Sequence, residues 1–136
     1  MPSLKTYDLF ISHSWDYNSE YYSLIEKLKE YPNFYFRNYS VPEHDPLDFN
    51  SVRELVQKLD EQIRESSIVL VIGGMYCNYR KWIRKEIEIA KKYNKPILLI
   101  EPYGSNRIPN DVEINANKIV KWSTKSIVEA IRELVN

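Results

Sequence analysis

Three features of the chain predict an α/β fold, a five-stranded parallel sheet covered by helices on both faces. The first is the run Ser67-Ile68-Val69-Leu70-Val71-Ile72, short, apolar and β-branched, as in a strand buried on both sides. The second is the alternation of such runs with segments of helical periodicity through short connections, the pattern of parallel strands joined by crossover helices. The third is bulk. A length of 136 residues with 43% hydrophobic content suits one domain, residues 1–136, that buries roughly two-thirds of its unfolded surface and argues against disorder.

Residues 7–12 read as the first strand, apolar enough for the middle of a sheet. His13-Ser14-Trp15-Asp16 forms its exit loop, and Asn18 or Ser19 caps the helix that follows. Tyr21, Leu24, Ile25 and Leu28 place one apolar stripe on that helix, which Pro32 helps to end. Residues 34–40 form a second strand with Phe34 and Phe36 on one face. Residues 41–49 hold prolines and no glycine, the composition of a stiff loop. Ser51-Val52-Arg53-Glu54 matches a capping box, and Val52, Leu55, Val56, Leu59 and Ile63 continue as a helical stripe.

The run at 67–72 is the third strand, and Gly73-Gly74 ends it, glycine accepting the positive φ of a sharp exit. Helical periodicity resumes from about Asn78, with Ile83, Ile87 and Ala90 on one face and Arg84, Lys85, Glu88 and Lys91 on the other. Trp82 and Glu86, four residues apart, stand one above the other on the border between those faces. Lys95-Pro96 opens a fourth strand at 97–100, residues 101–117 are irregular, and Ile119-Val120 marks a short fifth strand. Ser123 or Thr124 caps a last helix carrying Ile127, Ile131 and Leu134. This succession predicts the strand order 2-1-3-4-5, a flavodoxin-like three-layer α/β/α arrangement. In such sheets ligands sit beyond the carboxyl ends of the strands, at the switch point between strands 1 and 3. That edge gathers His13 to Trp15, Ser40 to Pro42, and Gly74 to Tyr76, and the helix bearing Trp82 and Glu86 leaves from it.

Composition removes several function classes. Lys+Arg and Asp+Glu both number 19, for zero formal net charge; with no basic arm or stripe, nucleic acid and anionic membrane are poor partners. No apolar run approaches a spanning helix and no signal-peptide core opens the chain, so a cytoplasmic protein is expected. Cys77 is the single cysteine and His13 and His44 lie in different loops, which leaves neither a disulfide framework nor a metal-ligand set. With three glycines, neither a dinucleotide fingerprint nor a Walker loop can be written. A phosphoreceiver needs an aspartate where this chain has Gly73. A triad from Ser12, His13 and Asp16 would ask sequence neighbours for a geometry they rarely adopt, with no nucleophile elbow.

The residues at the predicted edge admit paired readings. Glu86 beside Trp82 is shielded on one side, which suits a carboxylate that meets a developing cation; equally, Trp82 covers core and Glu86 pairs in solvent with Lys85 or Lys81. Ser12, His13 and Ser14 either bind a ligand or cap the next helix. Asn38 either reaches the cleft or is a polar side chain of the sheet, and Met75 and Tyr76 either pack or border a ligand. The loop aromatics are either core or a stacking surface for a planar ligand or a partner chain.

Several of these segments match a known family. Lys81-Trp82-Ile83-Arg84-Lys85-Glu86-Ile87 resembles the W-x-x-x-E segment of NAD-cleaving TIR domains, in which the glutamate is catalytic. Tyr7-Asp8-Leu9-Phe10-Ile11-Ser12 resembles the opening TIR strand. More narrowly, Phe10-Ile11-Ser12-His13-Ser14-Trp15, Asn38-Tyr39-Ser40-Val41-Pro42 and Gly74-Met75-Tyr76 resemble the TIR-like family of bacterial Thoeris anti-phage proteins. The likeness runs from Tyr7 to the final helix. It implies a catalytic role for Glu86 and substrate contact for Ser12, His13, Ser14, Trp15, Asn38, Met75 and Trp82, with NAD as substrate and no cofactor. Where typical TIR domains carry an acidic residue and a Pro-Gly pair, the loop after strand 2 reads Ser40-Val41-Pro42-Glu43-His44-Asp45-Pro46 and matches the Thoeris-like subgroup instead, which puts head-to-tail assembly through that loop in question and leaves other self-association open.

The chemistry so implied asks little of the protein. Nicotinamide departs neutral from a cationic pyridinium, so no general acid is required, and one carboxylate stabilises the oxocarbenium-like ribose where ordinary glycosidases use two. The expectation is an NAD-consuming enzyme whose cyclic ADP-ribose-type product signals to a separate effector protein in anti-phage defence. The alternatives are a non-catalytic interaction module and a nucleotide binder that leaves its ligand intact.

Overall fold

Residues 5–12, 19–40, 52–72, 76–101 and 115–135 are described in the computed structural model, without the side chains of 19, 20, 52 and 76–82. Strands β1 (Thr6–Ile11), β2 (Tyr35–Asn38), β3 (Ile68–Ile72), β4 (Ile97–Glu101) and β5 (Lys118–Lys121) alternate with helices α1 (Ser19–Glu30), α2 (Val52–Glu65) and α3 (Tyr76–Lys92), and α4 (Thr124–Leu134) closes the order. The strands form one parallel sheet in the order β2-β1-β3-β4-β5, as the sequence predicts. α1 packs beside α4 and α2 beside α3. The two pairs cover opposite faces, because right-handed crossovers that run in opposite directions from β1 place their helices on opposite sides.

Burial follows position in the sheet. Every residue of β3 is buried, as are Ile97 to Ile100 of β4, which explains their unbroken apolar composition. The edge strand β2 leaves Tyr35, Arg37 and Asn38 exposed, and the other edge, β5, carries Lys118 and Lys121 at its ends. Phe10 of β1, Leu24 and Leu28 of α1, Leu55 and Ile63 of α2 and Ile127 and Ile131 of α4 fill the space between the layers. Tyr7 stacks on Phe34 at 5.4 Å between ring centroids, and Phe34 lies 5.8 Å from Phe36, so the two phenylalanines share a face.

Local chemistry sets the element ends. α3 closes in a Schellman turn: Lys95 donates its backbone N–H to Ala90 O at 2.8 Å and Asn94 to Lys91 O at 3.1 Å, with Asn94 at a φ of 56°, the left-handed conformation asparagine tolerates. Ser123 is the cap of α4, its Oγ accepting from Ser126 N at 3.4 Å. Ser51, the first residue of the expected capping box, lies outside the described residues. α3 begins at Tyr76, ahead of Asn78, since a first helical turn needs no apolar stripe to reveal it in the sequence. β2 stops at Asn38, short of Ser40, because its ladder with β1 changes character there.

Candidate active site

β1 and β3 are neighbours at the centre of the sheet, and the crevice beyond their carboxyl ends is where a ligand binds in this architecture. Ser12 follows β1. Its N–H extends the ladder to Leu70 O of β3 at 2.9 Å, and its side chain is 1% exposed. Glu86 arrives on α3, the helix that follows β3.

The position of Glu86 on that helix differs from expectation. Ile83, Glu86, Ile87 and Ala90, at i, i+3, i+4 and i+7, are all buried, so Glu86 occupies the apolar stripe itself and not its border. Only 5% of it is exposed. Pairing with Lys85 in solvent is not made, as Lys85 lies 3.9 Å from Glu88 instead.

Within this setting Ser12 Oγ donates to Glu86 Oε1 at 3.3 Å. Oε2 is buried and has no hydrogen-bond partner among the described residues, an omission that costs a fold about 1–3 kcal/mol. Desolvation by burial pushes the Glu86 carboxyl up to about 8, and the Ser12 hydroxyl, which favours the ionised form, offsets only part of that. At neutral pH the resting site therefore holds mostly the neutral acid, with one oxygen able to accept a further hydrogen bond.

A second set of polar contacts ties the same edge together. Asn38 Nδ2 donates to the Tyr21 hydroxyl of α1 at 2.6 Å, and Asn38 Oδ1 accepts from Ser40 N at 2.9 Å and Ser40 Oγ at 2.5 Å. Ser40 Oγ in turn accepts from Ile11 N at 3.0 Å. Asn38 thus works inside the protein with both ends of its amide. It also borders a groove of about 590 Å³, with Ile25, Tyr31, Phe34 and Tyr35, whose lining includes neither Ser12 nor Glu86.

Of the residues singled out from the sequence, the structure brings Ser12 and Glu86 into contact and links Asn38 to the strand that carries Ser12. His13, Ser14, Trp15 and Met75 lie outside the described residues; Trp82 precedes Glu86 by one turn of α3, its side chain likewise outside them. The Ser40 hydroxyl is a participant that sequence reasoning placed only at the rim, since a serine in a loop carries no mark of what it will bond. Among the described residues no group of three or more His, Cys, Asp or Glu side chains is arranged to hold a metal ion, and no helix is long and apolar enough to cross a membrane.

Comparison with known proteins decides the family. Residues 10–107 match the family described as "Thoeris protein ThsB, TIR-like domain", a span that includes Ser12, Asn38, Ser40 and Glu86. The chain belongs to this family. No curated protein matches the sequence. Among solved structures, the TIR-like domain is similar to the CMP N-glycosidase BcmB of Clostridium botulinum, with 16% identity, 92% of this chain and 98% of that one covered, and a TM-score of 0.53. It is similar to a conserved protein from Enterococcus faecalis V583, with 10% identity, coverage of 95% and 99%, and a TM-score of 0.59. It is also similar to a 3-dehydroquinate dehydratase-like protein from Bifidobacterium longum, with 9% identity, coverage of 96% and 94%, and a TM-score of 0.50. At these identities the likeness is one of fold, and it agrees with the flavodoxin-like class expected from the sequence.

Proposed function

We propose that this TIR-like domain cleaves the nicotinamide–ribose bond of NAD, with Glu86 as the catalytic carboxylate. The observation that carries the reading is the buried Glu86 side chain with one unpartnered oxygen beside the carboxyl ends of β1 and β3. NAD brings a pyridinium cation into a site that holds a neutral acid. Attraction between the two favours the carboxylate, and the proton passes to solvent on binding. The carboxylate then faces the positive charge that grows on ribose as the C–N bond breaks, and nicotinamide leaves with the bonding pair as a neutral molecule. The bare Oε2 is an acceptor for a ribose hydroxyl.

The ribosyl cation is captured by a nucleophile that loses its proton. Water gives ADP-ribose; a hydroxyl or base nitrogen of the same molecule, held close in a water-poor cleft, gives a cyclic isomer. In this reading His13, Ser14, Trp15, Asn38, Met75 and Trp82 border the substrate. The cyclic product acts as a diffusible signal in the cytoplasm and activates a separate effector protein of the Thoeris anti-phage system.

The test is incubation of the purified protein with NAD, alone and with extract of phage-infected cells, followed by mass spectrometry of the small molecules. Nicotinamide release by the parent and its loss in Glu86→Gln support the enzyme. Equal release by both removes Glu86, and NAD retained unmodified marks a nucleotide binder.

One observation favours a second reading. Burial keeps Glu86 protonated at neutral pH, the state required of a general acid. A base leaving a neutral nucleotide needs such a proton, and one similar fold is that of a CMP N-glycosidase. The two readings have opposite pH dependence. If Glu86 works as a carboxylate on NAD, kcat/KM rises with pH to a plateau above about 8; if it protonates a leaving base, kcat/KM falls over the same interval.

A further inference from the structure

The polar contacts at the carboxyl edge of the sheet form a line that ends at Glu86, and one of them replaces a regular ladder bond. Tyr39 N donates to Leu9 O at 2.8 Å as a parallel pair requires. The next bond of that ladder is Ile11 N to Tyr39 O. Among the described contacts side chains take that place: Tyr39 O accepts from Gln62 Nε2 at 2.8 Å, and Ile11 N donates to Ser40 Oγ. Two side-chain bonds thus stand at that step of the ladder, immediately before the residue that contacts Glu86. Asn38, itself held by Tyr21, takes the proton of the Ser40 hydroxyl, whose oxygen accepts from Ile11 N.

We infer that Ser12 is a positioning residue that occupies Oε1 of Glu86 so that Oε2 is the oxygen presented to substrate, and that Ser40 and Asn38 hold the end of β1 where Ser12 can do so. The inference rests on Glu86 being the reacting group, and it moves Ser12 from substrate contact to control of the carboxylate. Two restraints aim the Ser12 side chain: its own N–H on Leu70 O, from the β3 side, and the preceding amide on Ser40 Oγ, from the β2 side. A carboxylate free to turn about its last torsion would present either oxygen; a donor on one of them removes that choice.

Among the described residues no charged side chain acts on the Glu86 carboxyl. Among the described elements, β3 and α2 pack most heavily on α3. β3 is wholly apolar, and Asp60 of α2 is engaged by Lys92 and Tyr93 at the far end of α3. Burial and the Ser12 hydroxyl are what act on the Glu86 carboxyl.

The experiment uses the whole chain labelled with carboxyl-13C glutamate, with the Glu86 resonance assigned by its disappearance in Glu86→Gln. Ser12→Ala is expected to raise the pH midpoint of that resonance by about one unit, the worth of one hydrogen bond to a charged group. Ser40→Ala is expected to move it the same way by less, although Ser40 does not touch Glu86. An unmoved midpoint in Ser12→Ala overturns the proposal, and should that variant fail to fold, an unmoved midpoint in Ser40→Ala does so. Kinetics separate positioning from substrate contact: Ser12→Ala lowers kcat about tenfold with KM within about twofold of the parent, whereas a raised KM with kcat retained overturns the assignment. The titration needs no turnover. A failed NAD assay therefore sinks the proposed function without deciding the brace, and an unmoved titration sinks the brace even where NAD is cleaved.

Discussion

Two carboxylates lie against α3, its own Glu86 and Asp60 of α2, and the fold treats them in opposite ways. Asp60, with a quarter of its side chain exposed, receives the Tyr93 hydroxyl at 2.5 Å and Lys92 Nζ at 3.0 Å. The Tyr93 hydrogen bond, with help from Lys92, holds it below the ordinary carboxylate range. Glu86 is almost fully buried, has one donor among the described residues, and is pushed up to about 8. Asp60 stitches α2 to α3. Glu86 weakens the domain that encloses it, because at neutral pH its ionisation is suppressed and one oxygen stays bare. A fold that supplies two donors to one acid and one to another, along the same helix, is not short of donors. The deficit at Glu86 is what the proposed function draws on, with a substrate hydroxyl as the second donor.

The largest effect that tests this contrast is on rate. Glu86→Gln keeps the shape of the side chain and removes the charge, and nicotinamide release should fall at least ~100-fold, or about 3 kcal/mol of barrier. The same variant should unfold at a higher temperature than the parent at pH 8. A variant slower but less stable would mean that Glu86 holds the fold as Asp60 does, and the contrast would disappear.

Next in size is the pH dependence of stability. Glu86 has a folded value raised from 4.5 to about 8, so the folded state holds a proton that the unfolded chain releases. Stability is full below about 4.5 and is lost as pH rises towards 8, by on the order of 3–5 kcal/mol. Asp60 has a lowered value, and its contribution runs the other way, present above the usual carboxylate range and lost as pH falls below it. Urea midpoints at pH 5 and pH 8 check this: the parent should be weaker at pH 8, and Glu86→Gln should show no such loss. Tyr93→Phe removes one donor from Asp60 and should cost about 1 kcal/mol at pH 6, with a smaller loss once the pH falls far enough below the ordinary carboxylate range for Asp60 to take up a proton in parent and variant alike.

How far the sequence disclosed these two sites depends on the kind of signal each one needs. Sheet order and helix faces were legible because burial marks the sequence: Ile68 to Ile72 is an unbroken apolar run, as a strand covered on both faces requires, and Leu55, Leu59 and Ile63 keep the 3.6-residue period of a helix face. Glu86 was found through its spacing from Trp82 and a family resemblance, yet it was set at the border of the helix. The spacing Ile83-Glu86-Ile87-Ala90 already contained the buried stripe; counting glutamate as a surface residue hid it. Contacts between distant residues leave no local trace. Ser12 and Glu86 lie 74 positions apart, Asp60 and Tyr93 lie 33 apart, and neither pair follows from composition or period. The place of the Ser40 hydroxyl at a step of the ladder is likewise invisible until β1 and β2 are set side by side.

A third carboxylate separates the effect of partners from the effect of burial. Asp8 of β1 faces Arg37 of β2 in register and accepts from it twice, at 2.7 Å to Oδ1 and 3.2 Å to Oδ2. By count of donors it matches Asp60. The Arg37 side chain, however, is 64% exposed on an edge strand, where water and salt compete for both charges and the gain from pairing is small. Arg37→Ala should therefore shift the melting temperature by less than about 2 °C, and raising the salt concentration should shrink even that. A loss as large as that of Tyr93→Phe would show that the number of donors, and not the removal of water around them, sets what a carboxylate contributes here. In that case the missing donor at Glu86 would become the sufficient explanation of its cost, and the burial of α3's apolar stripe would not be needed to account for it.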